Sequence, residues 1–138
     1  VRRISYALLS ISLVSPHAIG GGPADPRTHE PARVVVRFAE DARVRLRAPG
    51  LVSLAGTDLA ALRSVLARHG EPPVRRVFFR PEAEIERDHR IAEERSGLEL
   101  PDLNGYFEFL AGEDEAQELI EELRALPFVD LAYAETPG

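Results

Sequence analysis

The chain has 138 residues, of which 44% are hydrophobic and 29% charged, proportions that fit one folded domain of modest size. Its formal net charge is −6, and it contains no lysine and no cysteine. That combination excludes a basic nucleic-acid module, lysine Schiff-base chemistry, disulfides, thiol catalysis and cysteine-ligated zinc.

Arg2 and Arg3 precede a mostly apolar run from Ile4 to Val14, and small residues with Pro16 follow. This layout predicts a secretory signal peptide over 1–20, and places the mature protein outside the cytoplasm, secreted or on the cell-envelope exterior. The run is too short to remain as a membrane span. Residues 21–32 are rich in Gly and Pro without periodicity and read as a linker. The domain proper is expected over 33–138.

Arg33 to Phe38 is a β-branched run and the first expected strand. Val44 to Arg47 alternates apolar and basic residues, as a short extension or hairpin before Pro49-Gly50. Thr57 or Asp58 is placed to cap a helix whose apolar stripe is Leu59, Leu62, Val65 and Leu66. A second strand is expected over Arg75 to Phe79. The mostly charged segment Glu82 to Ser96 reads as a solvated helix, with Glu86–Arg90 and Arg90–Glu94 at favourable spacing. Gly97 ends it. Tyr106 to Leu110 forms the third strand. Asp114 is expected to cap a helix with Leu119, Ile120, Leu123 and Leu126 inward, and Phe128 to Ala134 is the last strand.

The economical architecture for this order is α+β. It is a ferredoxin-like β-α-β-β-α-β antiparallel sheet with two packing helices and one extra charged helix. The aromatic residues beyond the leader fall in or beside expected strands, and aliphatic residues line the two packing helices.

Catalytic patterns are sparse. His89 and Glu93 have helical i, i+4 spacing, but a third ligand at sensible spacing is lacking, so no metal site is expected. The carboxylate pairs Glu93-Glu94 and Glu121-Glu122 sit on helix surfaces, and His69 suits the end of a helix. Neither a Gly-x-Ser-x-Gly elbow nor a phosphate loop is present. No enzyme activity and no cofactor are expected.

The second half is more distinctive. Leu100-Pro101-Asp102-Leu103-Asn104-Gly105-Tyr106-Phe107, an acid-capped helix, and Leu126-Pro127-Phe128-Val129-Asp130-Leu131-Ala132-Tyr133-Ala134-Glu135 follow in order. Together they resemble the N-terminal propeptide, or inhibitor-type, region of bacterial subtilisin-like serine proteases. The resemblance covers about 33–138 and is specific only from Leu100 onward. It implies a module that assists folding of a subtilisin-like protease domain and inhibits it through a C-terminal tail. The catalytic motifs of such proteases are absent from this sequence.

The open sheet face is expected to present Tyr106 and Glu108 to that partner, if Phe107 and Phe109 turn to the helices. Tyr133, Ala134, Glu135, Thr136 and Pro137 are the expected inhibitory tail, lying along the protease cleft as an added strand. The alternative is a secreted or regulatory ferredoxin-like domain that binds a small ligand or a non-protease partner. Neither nucleic acid nor, in the mature form, membrane is expected as a partner, and the sequence leaves the oligomeric state open.

Overall fold

The computed structural model describes residues 31–135. The expected leader and nearly all of the linker lie outside them, as do Thr136 and Pro137. Among the described residues no helix is long and apolar enough to cross a membrane.

Strand β1, Ala32–Phe38, places Val34, Val36 and Phe38 on one side, as strand alternation requires. After a 3-10 turn at Glu40–Ala42, strands β2, Val44–Arg47, and β3, Gly50–Ser53, form a separate antiparallel hairpin. Residues 44–47 thus belong to a hairpin whose second strand the sequence pattern did not show. Ser53 fastens the hairpin, its hydroxyl donating to Ala42 O at 2.6 Å and accepting from Thr57 N–H at 2.9 Å.

Helix α1, Ala60–Arg68, follows; Asp58 accepts from Ala60 N–H at 2.9 Å, an Asx-type contact at its start. Strand β4 covers only Val74–Arg76, shorter than the expected Arg75–Phe79. The β propensity of Phe78 is overridden by a tertiary contact, and Phe79 beside it finds no packing partner among the described residues. Phe78 turns edge-on to Tyr106, with ring centroids 5.6 Å apart, while Phe79 is 76% exposed.

Helix α2 spans Glu82–Ser96 as expected, and Gly97 closes it at a φ of 66°, donating to Glu93 O at 2.8 Å. Its inner contacts centre on buried Ile85. Glu86 does not pair along the helix with Arg90. It reaches Arg45 at 3.5 Å and Arg43 at 3.8 Å on the hairpin side. Another 3-10 turn, Leu103–Gly105, leads into strand β5, Tyr106–Ala111. A Cβ at Gly105 would lie 3.3 Å from Phe38 O, so any larger residue there would have to push β1 back by a few tenths of an ångström.

Helix α3, Glu113–Arg124, starts after Gly112 rather than at Asp114, whose side chain does not cap it. Asp114 is instead one of three acids in the first turn, favourable against the helix dipole. Strand β6, Val129–Glu135, completes the fold.

The four-stranded sheet is antiparallel in the order β4-β5-β1-β6. Val36 lies opposite Phe107 on one side and Ala132 on the other. Helices α1 and α3 cover the face formed by Val34, Val36, Phe107, Phe109 and Ala132. They contribute Leu62 and Val65, and Leu119, Ile120 and Leu123. The described residues thus form a mixed α+β fold with three α-helices and antiparallel sheets, and its element order, with the β2–β3 hairpin and α2, differs from the expected β-α-β-β-α-β.

Candidate functional site

The face of the sheet turned away from α1 and α3 carries Arg33, Val35 and Arg37 from β1, and Tyr106, Glu108 and Leu110 from β5. Leu131, Tyr133 and Glu135 of β6 share it, as the register and strand alternation dictate. Three ion pairs cross it. Arg33 lies 3.8 Å from Glu135, Arg37 lies 3.8 Å from Asp130 at the strand's start, and Arg75 Nε–H donates to Glu108 Oε1. The Arg37 guanidinium stands 5.9 Å over the Tyr106 ring and reaches its hydroxyl at 3.4 Å. Phe78 closes the aromatic group from the other side.

Phe107 and Phe109 do face the helices, at 0% exposure each. Tyr106 and Glu108 accordingly share the opposite face, but their surroundings differ. Tyr106 is partly open, whereas Glu108 is 6% exposed and held by Arg75, so its carboxylate serves the sheet. Tyr133 is 40% exposed at the edge of the sheet. Of the expected tail Tyr133–Pro137, Tyr133, Ala134 and Glu135 remain within β6, opposite Val35, Val34 and Arg33. The sheet pairing outlasts the apolar pattern there, because main-chain bonds do not need apolar side chains. Thr136 and Pro137 lie outside the described residues.

A second polar centre lies where the hairpin, α2 and the segment before β5 meet. The Arg45 side chain is 3% exposed; it donates to Asp102 Oδ2 at 2.9 Å and Val44 O at 2.9 Å. Asn104, also buried, donates to Glu82 O at 3.0 Å and accepts from Arg76 at 2.9 Å. Glu82 in turn takes two bonds from Arg47, at 2.8 and 2.9 Å, which hold its carboxyl below the usual carboxylate range. The Leu100–Gly105 motif is thus tied into the fold by buried polar contacts. The signal for Arg45 was faint: a cation alternating with Val44 and Leu46, which reads locally as the solvated side of a strand.

His89 and Glu93 are on one helical face, as their spacing requires, but they grip the main chain. His89 Nε2–H donates to Leu100 O at 2.7 Å, and Glu93 Oε1 accepts from Leu100 N–H at 2.8 Å. Among the described residues no group of three or more His, Cys, Asp or Glu side chains is arranged to hold a metal. The bond to the Leu100 carbonyl raises the imidazole above its ordinary 6.5. Glu93, Glu40 and Asp102 reinforce the shift, and burial opposes it.

A raised native value stabilises the fold fully below pH 6.5 and loses that contribution as pH climbs through the native value. His89→Gln should therefore flatten this loss. Denaturant midpoints measured from about pH 5 to 9 would show it. Parallel profiles for the two proteins would remove His89 as the cause.

At the far ends of α1 and α3, His69 Nε2 lies 2.5 Å from Glu122, which Arg68 also contacts at 3.1 Å. His69 is thus a helix-to-helix contact. The Glu122 carboxyl is held below its ordinary value, first by His69 and then by Arg68.

Where the end of β1 and the start of β6 meet the segment after α2, a cleft of about 810 Å³ is lined by Arg37, Glu40, Asp41, Glu99 and Asp130 among others. Comparison with protein-family models, curated proteins and solved structures finds no match.

Proposed function

We propose that the chain is a propeptide-type module that binds a subtilisin-like serine protease, assists its folding and inhibits it. In this reading the fold is ferredoxin-like, with the β2–β3 hairpin and α2 as additions. The observation that carries the reading is the sheet with its packing helices on one side. The other side presents Tyr106, Tyr133 and Phe78, and an edge strand leads directly to the last three residues. A broad half-apolar face supplies contact area, and a segment leaving a fixed strand loses less entropy on binding than a free peptide.

Pro137 fixes φ and removes a main-chain donor, which hinders turnover of a segment lying in the cleft. Tyr133, Ala134 and Glu135 are paired in the sheet, which leaves the residues after Glu135 to enter the cleft in this reading. Glu135 would sit at the rim.

The test is inhibition of a panel of subtilisin-like proteases by the full chain and by a variant lacking 136–138. Deletion should weaken inhibition at least about tenfold, equivalent to roughly 1.4 kcal/mol, and leave thermal unfolding unchanged. Equal inhibition by both proteins would move the binding energy to the sheet face. A full chain that inhibits none of the panel would end the propeptide reading.

A further inference from the structure

The sheet has two edges, and they are unequal. Strand β4 is three residues long and lies between Pro72-Pro73 and Pro81, which lack main-chain donors and make a poor template for another strand. Strand β6 is seven residues long and contains no proline.

Its outward side can be read from one contact. Arg124, in the last turn of α3, sends Nε–H to Ala132 O at 2.8 Å. That carbonyl therefore points away from β1, and by alternation so do the main-chain groups of Ala134. The Ala132 side chain is turned into the core and Ala134 is small and exposed, so neither obstructs an approaching strand.

The same edge is complementary to itself. Antiparallel pairing about a two-fold axis at Ala132 would set Asp130 opposite Ala134 and Leu131 opposite Tyr133 of the other copy, twice over. This register needs the Ala132 carbonyl, the atom that Arg124 occupies. It would also bring two guanidinium groups to the same axis.

We propose that Arg124 is the guard of the β6 edge: it keeps the chain monomeric, and without it β6 pairs with the β6 of a second copy. The proposal does not depend on the protease reading. Arg124→Met keeps the apolar stem over the strand and removes the donor and the charge.

Sedimentation of the full chain over a concentration series is the experiment. Wild type should remain monomeric. Arg124→Met should form a dimer with a dissociation constant at least about tenfold lower than any wild-type association. Adding Ala134→Pro, which removes an outward N–H from an exposed edge position, should return it to monomer. A wild type already paired, or an Arg124→Met variant that stays monomeric or loses its circular dichroism, would overturn the proposal. So would a dimer that the proline leaves intact.

Discussion

Phe107→Ala is expected to destabilise the protein by about 3–5 kcal/mol. The ring has 0% exposure, lies opposite Val36 in the central strand pair, and packs 5.7 Å from the Phe38 ring. Its loss removes buried apolar area and leaves a hole between sheet and helices that rigid strands on both sides cannot close. Domains of this size have a total stability of roughly 5–15 kcal/mol, so the variant would retain little margin. Denaturant titration should show a much lower midpoint with an unchanged slope. A loss under about 1 kcal/mol would mean that the ring does not fill the core.

Arg45→Ala should cost a similar amount, about 3–5 kcal/mol, for an electrostatic reason. Asp102, at 12% exposure, would lose its shortest charged partner, and Glu82 and Glu86 would face it without the cation between them. Lysine should not restore the loss, because one ammonium nitrogen cannot stand at both guanidinium positions, Nη1 bonding the Val44 carbonyl and Nη2 bonding Asp102 and Glu86. Chemical denaturation of the alanine and lysine variants tests both parts. Full stability in Arg45→Lys would show that charge alone suffices and that the directed bonds do not matter.

How far these features could be read from sequence depends on the range over which their causes act. Helix α2 was legible because Pro81 and Gly97 mark its ends and its charges repeat at helical spacing. The alternation of Val34, Val36 and Phe38, and of Phe107 and Phe109, fixed the core side of the sheet. The hairpin partner Gly50–Ser53 was not legible, being four residues with glycine at one end and little alternation.

Phe78 and Phe79 misled because aromatic residues favour strands, while Phe78 turns to the Tyr106 ring, Phe79 lies in solvent and Pro81 follows. At the candidate site, the face shared by Tyr106 and Glu108 followed from period two. The burial of Glu108 did not, since Arg75 reaches it from a strand 33 residues earlier. Arg45 and Asp102 stand 57 residues apart, beyond any local pattern.

The placement of Ile85 has a consequence for how the molecule opens. This buried side chain of α2 lies outside the main apolar cluster that joins α1, α3 and the sheet. Helix α2 is held instead by polar groups: Glu82 to Arg47, Asn104 to the Glu82 carbonyl, and His89 and Glu93 to Leu100. Such contacts exchange with water at small net cost, whereas the main cluster gives way only as a whole. Helix α2 is therefore expected to be the weaker of two cooperative units, opening and closing while residues 98–105, tied down through Asp102 to Arg45, stay with the sheet and its two covering helices.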